Sequence, residues 1–320
     1  MPASEFELIE QFFNCHQSKA SSPHLVLGIG DDGAVLKVPG NHQLVVTMDT
    51  LISGHHYPQQ TLPQDIAYKS LAVNVSDLAA MGAVPGYFVL SLTMPEMDVD
   101  FLEKFSAGLF DAADEFGIPL VGGDTCKGPL SITIQASGYV PDGQYITRSG
   151  ANPGDRLFVS GELGSAAVGL ACLLKKVEMD TVQKNQAMIA LNRPYPRLDL
   201  VPVLQKFASS AIDLSDGLLG DIAHILKKSC VGAVIDQSNI PVFDWIRLND
   251  EYRYALTGGD DYQILFTVAE KDVSEMMQMA NSLAITLYDI GEITKSGLFM
   301  SHQNQLIDVS GTQGYDHFAA

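Results

Sequence analysis

Hydrophobic positions along the chain change period several times, and each change marks an element. Apolar residues among Glu5, Glu7 and Glu10 predict a short amphipathic helix over residues 5–16. A Ser/Pro-rich joint and a short apolar run, Leu25–Leu27, follow. Residues 44–48 (LVVTM) are rich in β-branched residues, lie between polar loops and predict a strand. From Pro63 to Met81 the apolar residues recur at helical spacing, with Pro63 suited to the first turn. Residues 87–94 predict a strand, and residues 98–116 a helix capped by Asp98. Leu120–Val121 leads into a Gly-Gly-Asp turn, and residues 130–140 alternate as a strand. The SGANPG segment at 149–154 reads as a joint between domains, 1–148 and 149–320. Beyond it come a strand at 156–159, helices at 163–175 and 217–229, strands at 231–236 and 262–268, and a helix at 270–283. This alternation predicts α/β or α+β layers in both halves.

Charge narrows the class. The 320 residues include 19 Lys plus Arg against 38 Asp plus Glu, a formal charge of −19. Such a chain repels a phosphate backbone and an anionic membrane surface. Only 18% of residues are charged while 46% are hydrophobic, so the acid excess is not a solvating coat of paired charges. Cys15, Cys126, Cys172 and Cys230 are widely spaced without a CxxC, which disfavours a zinc ribbon or a disulfide scaffold. The acidic start does not resemble a signal or transit peptide, and the longest apolar runs fall short of a membrane span. A cytoplasmic protein is expected.

The aspartates then draw attention. Asp31 and Asp32 (GIGDDG), Asp49 (VTMDT), Asp77 (NVSDL), Asp124 (GGDT), Asp213 and Asp216 (IDLSDG), and Asp260 and Asp261 (GGDDY) all fall at turns, strand ends or helix starts. Any one of them is most simply a cap or turn former. Many sit beside glycines, which allow close backbone approach. If three or more converge, two carboxylates about 4 Å apart repel by on the order of 4 kcal/mol. Cations or protons must then neutralise the cluster. Oxygen-only ligands favour Mg²⁺, which commonly shares its coordination with substrate phosphates, and so the pattern points to phosphoryl transfer.

GIGDDG also matches G-x-G-x-x-G. A dinucleotide fold needs that loop to open a helix, whereas Ala34–Val38 reads as a strand and the two aspartates would repel bare pyrophosphate. No P-loop and no protein-kinase HRD or DFG motif is present. Lys69, Lys127 and Arg148 are the cations of most interest, although an isolated Lys or Arg is ordinarily a solvated surface charge.

Taken in order, GIGDDGAVL, VTMDTLISGHHY, AYKSLAVNVSDLAAMGA, VGGDTCKGPLSITIQASGYV, TRSGANPGD, AIDLSDGL, TGGDDYQILF and GYDHF resemble the thiamine-monophosphate kinase family across residues 28–318. The early blocks are shared with a wider superfamily that includes aminoimidazole ribonucleotide synthetase. The resemblance implies ATP-dependent phosphorylation of thiamine monophosphate to thiamine diphosphate, with several Mg²⁺ ions. It also implies the two-domain aminoimidazole ribonucleotide synthetase-like fold and a homodimer whose N-terminal sheets form a barrel, each with a C-terminal α/β domain.

Carried over by position, it assigns Asp31, Thr47, Met48 (through its carbonyl), Asp49, Asp77, Asp124, Asp213 and Asp216 to metal. Gly123, Asp124, Arg148 and Ser215 fall to ATP, and His56, Asp260 and Tyr315 to the thiamine portion. The family often has Thr where Met48 stands, and Glu where Asp260 stands. His55, Cys126 and His317 read as ordinary loop or surface residues. Two rivals remain: a superfamily enzyme with another acceptor, and a nonenzymatic acidic cation-binding protein.

Overall fold

The computed structural model describes residues 5–14, 19–303, 305–312 and 314. The chain forms two compact units, Met1–Leu78 with Ala83–Gly143, and Ala79–Gly82 with Gln144–Ala320.

In the first unit, α1 (Glu5–Ile9) runs into a π-helical turn at Glu10–Asn14. The predicted helix extended to residue 16, and residues 15–18 lie outside the described residues. Strands β1 (Leu25–Leu27) and β2 (Val35–Leu36) pair antiparallel across the GIGDDG loop. A strand, not a helix, thus follows that loop, as expected from its sequence. Next come β3 (His42–Ile52), α2 (Pro63–Ala80), β4 (Val84–Met94), α3 (Val99–Phe116), β5 (Leu120–Lys127) and β6 (Ser131–Pro141). The last four strands form a sheet in the order β3-β6-β4-β5, parallel between β4 and β5 and antiparallel elsewhere.

Helix α2 is buried on every side from Ile66 to Ser76, Lys69 and Asn74 included. It is therefore a core helix and not a surface amphipathic one. Helix α3 is amphipathic, burying Leu102, Phe105, Leu109, Ala112 and Phe116. Its predicted cap holds: the Asp98 carboxylate accepts the Phe101 N–H at 3.0 Å, and Gly117 closes the helix in the left-handed region with φ 66°. Asp98→Ala should cost about 1 kcal/mol, read as a fall of about 3 °C in thermal unfolding.

One expectation is corrected. Gly122-Gly123-Asp124 is not a turn but the middle of β5, with Ser91 opposite Asp124. A Cβ at Gly123 would lie 1.9 Å from the Leu90 carbonyl oxygen, so glycine serves close strand pairing there and not reversal of the chain.

The second unit contains β7 (Asp155–Val159), α4 (Ser165–Leu173), α5 (Thr181–Asn192), α6 (Val201–Phe207), β8 (Ala208–Asp213), α7 (Leu218–Ser229) and β9 (Gly232–Asp236). It continues through α8 (Asp244–Asn249), α9 (Arg253–Leu256), β10 (Ile264–Ala269), α10 (Val273–Ser282), β11 (Tyr288–Thr294), β12 (Leu298–His302) and β13 (Gln305–Asp308). Among the described residues the strands form one mixed sheet, β13-β12-β9-β11-β7-β10-β8.

Both faces of this sheet are covered at its centre. Leu157, Val159 and Leu265 pack with Leu218, Ile222 and Ile225 of α7. Phe158, Phe266 and Val268 pack with Leu204 of α6 and Met276 of α10. Strands buried on two faces lose polar alternation, which is why β7 and β10 read as continuous apolar runs. β8 escaped prediction for a related reason. Its ASSAID sequence is polar, yet Ser210 is buried by bonding Thr267 at 2.7 Å.

Candidate active site

In the first unit the site begins with two periodicities that meet. Residues two apart on a strand share a face, and residues three apart on a helix share a face. Thr47 and Asp49 of β3 meet Asn74 and Asp77 of α2. The Thr47 hydroxyl donates to the Asp77 carboxylate. The Asp49 N–H donates to the Asn74 side-chain oxygen at 3.1 Å, and the Asn74 amide donates to the Ser70 carbonyl at 3.0 Å. Asn74 has no solvent exposure and fixes β3 against α2, a part the sequence reading missed. Its signal was present: NVSD puts it three residues before Asp77.

Burial first, and the Asp77 charge second, push the Asp49 carboxyl up to about 6.

Met48 points to the opposite face of β3 and is 64% exposed, so only its backbone could join Thr47 and Asp49. His56 follows β3, its Nδ1 accepting the Ile52 N–H at 3.0 Å. Buried Lys69 donates to the His56 carbonyl at 3.4 Å.

A second group lies at the other edge of the same sheet. Asp31, Asp32, Gly123 and Asp124 line one cavity of about 580 Å³ with the glycines of the GIGDDG loop. The strand order puts β6 and β4 between this group and β3, roughly 14 Å at 4.8 Å per strand. The register also separates them. Asp49 shares a row with Ile134, Leu90 and Gly123, whereas Asp124 shares the next row, on the other face, with Thr50, Thr133 and Ser91. Thr47, Asp49 and Asp77 are therefore together, and Asp31 and Asp124 are together. Among the described residues no three of His, Cys, Asp and Glu are gathered at ion-holding spacing.

In the second unit, buried Asp213 ends β8 opposite Ile264. The Leu214–Gly217 turn follows and is stitched to residues 258–262. Asp260 N–H donates to the Ser215 carbonyl at 2.9 Å, and Tyr262 N–H to the Leu214 carbonyl at 2.8 Å. A Cβ at Gly259 would meet the Ser215 oxygen at 2.2 Å. Asp260 itself adopts φ 72°, a left-handed conformation that Asp tolerates better than most residues.

Asp216 gives its N–H to Asp221 at 3.0 Å. Burial pushes the Asp221 carboxyl up to about 7, with the Ser215 and Asp216 N–H groups and the Arg148 charge acting against that rise. The structure thus gathers Arg148, Ser215 and Asp216 around Asp221, which the sequence reading had not singled out.

Asp260 lines a cavity of about 470 Å³ with Glu162, Tyr195, Phe243, Asp244 and Gln263. Neighbouring Asp261 is instead structural. Both its oxygens accept the Gly164 N–H that opens α4, and burial holds its carboxyl well above the usual range. Tyr315 lies outside the described residues. Gly314 is described, and a Cβ there would meet the Asp216 carbonyl at 2.6 Å.

Comparison with known proteins extends this geometry. Residues 30–140 match the AIR synthase related protein N-terminal domain family, and residues 152–302 the corresponding C-terminal domain family. The thiamine-monophosphate kinase of Escherichia coli (strain K12) is 41% identical over all of this chain and 99% of its own. The crystal structure of thiamine-monophosphate kinase from Stenotrophomonas maltophilia K279a is 40% identical, with a TM-score of 0.85, covering 93% of this chain and 96% of that one. AaThiL complexed with AMPPCP and TMP is 30% identical, with a TM-score of 0.77, covering 98% and 97% of the two chains. The two-domain fold with mixed α/β sheets is that of the AIR synthase related proteins.

Proposed function

Because this chain belongs to the thiamine-monophosphate kinase family and is a kinase, we propose that it transfers the γ-phosphoryl group of ATP to the phosphate of thiamine monophosphate. The products are thiamine diphosphate and ADP. The observation that carries this reading is the acid-rich, oxygen-only pairing of Thr47, Asp49 and Asp77, within a chain similar over its length to these kinases. That donor set fits Mg²⁺, because two close carboxylates in a partly dry setting need a hard cation.

Asp31, Thr47, the Met48 carbonyl, Asp49, Asp77, Asp124, Asp213 and Asp216 would hold several Mg²⁺ ions. Bound there, they would offset repulsion between two phosphate-bearing substrates and the charge on departing ADP. Gly123, Asp124, Arg148 and Ser215 would orient ATP. In the second unit's cavity, Asp260 sets a carboxylate beside aromatic Tyr195 and Phe243, a lining suited to a cationic thiazolium. His56 and Tyr315 would also contact the thiamine portion. The acceptor phosphate is already ionised at neutral pH, so in-line transfer needs no side chain as general base. Loss of turnover in a variant of one non-ligand residue, with both substrates still bound, would end that part of the reading.

We further propose a homodimer with a shared barrel, a reading that the same sheet supports. Val46 and Met48 on its outer face are 55% and 64% exposed, and β3 and β5 are both edges of the sheet. Closing two such sheets into one barrel would cover this apolar face and remove the open edges. Sedimentation should give twice the chain mass. We expect a cytoplasmic enzyme; among the described residues no helix is long and apolar enough to cross a membrane.

The direct test is ADP release from ATP and Mg²⁺ on adding thiamine monophosphate, with aminoimidazole precursors as the rival acceptors. Release is expected with thiamine monophosphate alone and is expected to stop in excess EDTA. Full turnover in the chelator, or preference for another acceptor, would overturn the reading.

A further inference from the structure

Among buried acids outside the ligand set, Asp221 is the one built into the site. It is 2% exposed in the first turn of α7. Its Oδ2 accepts the Asp216 N–H at 3.0 Å, and the Ser215 N–H nearby also favours its charged form. The Asp216 bond goes to the backbone and fixes the turn, and the carboxylate also lies within electrostatic reach of the Arg148 and Asp216 side chains. The other side of the turn is fixed by residues 259–262, through the Asp260 and Tyr262 N–H groups. The far end of α7 reaches the third member of the group. The Ser229 hydroxyl accepts the Gly150 and Ala151 N–H groups, each at 3.2 Å, and donates to the Arg148 carbonyl at 3.3 Å.

We propose that Asp221 is a positioning residue that holds the Ser215–Asp216 turn in the shape that receives the nucleotide, with α7 tying that turn to the Arg148 segment. The proposal rests on the kinase reading above for the identity of the ligand. Removing the carboxylate leaves the Asp216 N–H without its acceptor, and the turn then relaxes toward other partners.

The test is titration of full-length wild type, Asp221→Ala and Asp221→Asn with AMPPCP and Mg²⁺, without thiamine monophosphate, followed by steady-state kinetics in both substrates. Folding is checked by circular dichroism and thermal melting. Asp221→Ala should bind the nucleotide about tenfold more weakly, with KM for ATP raised in step and KM for thiamine monophosphate within about twofold of wild type. Asp221→Asn keeps one carbonyl acceptor and should fall between them.

Wild-type affinity in a folded Asp221→Ala, or equal changes in both KM values, would overturn the proposal. If Asp221→Ala does not fold, unchanged nucleotide binding by Asp221→Asn would overturn it. A wild-type protein that binds AMPPCP but never phosphorylates thiamine monophosphate would sink the kinase reading, while the titrations still judge Asp221.

Discussion

Asp49→Asn should abolish turnover by roughly a thousandfold while making the ion-free protein more stable above pH 6. The loss corresponds to about 4 kcal/mol of transition-state stabilisation, the scale expected for removing a metal ligand. The gain follows from the state of the wild-type carboxyl. Its folded value, about 6, lies above the ordinary 3.8 because of burial and then the Asp77 charge. A carboxyl raised on folding binds its proton more tightly in the folded state. Wild-type stability therefore falls as pH rises from about 4 to about 6 and stays lowered above that. The shift is worth on the order of 2–3 kcal/mol, nearer 2 because Asp49 keeps some solvent contact. An amide does not ionise, so the variant escapes the penalty.

Mg²⁺ is the control that separates this account from simple repacking. The wild type should melt at higher temperature as Mg²⁺ is added at pH 8, and the variant should respond much less. Thermal melts of both proteins from pH 4 to 8, with and without Mg²⁺, read all three effects. A variant with ordinary turnover, or with the wild-type Mg²⁺ response, would refute the role given to Asp49.

What could be read from the sequence depended on how far each signal travels. The α3 cap at Asp98 is local, three residues wide, and was visible. The acids were visible as a class, because Asp beside Gly in a low-charge chain is unusual. Their grouping was not. Thr47 with Asp77 spans 30 residues and depends on how β3 lies on α2. Asp31 with Asp124 depends on the edge position of β5. Asn74 and Asp221 were hidden for another reason. Each bonds a backbone N–H contributed from elsewhere; NVSD sets Asn74 on the Asp77 face of its helix, but nothing in the sequence announces the Asp49 N–H that it meets. Strands β11 and β12 were missed because they pair with β7 and β9 far away in sequence, and β13 because it is exposed along its length and carries no burial pattern. The resemblance to a known family supplied roles for positions, whereas only the fold showed which of those positions touch.

The adjacent glycines of β5 should respond in opposite ways to the same methyl group. At Gly122 a Cβ would meet only Val89 Cγ1 at 3.9 Å, ordinary contact, so Gly122→Ala should change stability by less than about 1 kcal/mol. At Gly123 the Cβ would lie 1.9 Å from the Leu90 oxygen and 2.9 Å from its carbonyl carbon. Backbone cannot swing aside as a flexible side chain does, so β5 must move away from β4 or lose its register. We expect Gly123→Ala to cost at least about 3 kcal/mol, beyond ordinary overpacking, and to displace Asp124 and the cavity wall it shares with Asp31. Urea unfolding of the two variants measures the first effect, and ADP release at a temperature where both are folded measures the second. Gly123→Ala should be nearly inactive even when folded, because the strand that carries Asp124 has shifted, and Gly122→Ala should keep wild-type turnover. Equal stability of the two variants would mean that β5 does not pack against Leu90 as described, and the placement of Asp124 would fall with it.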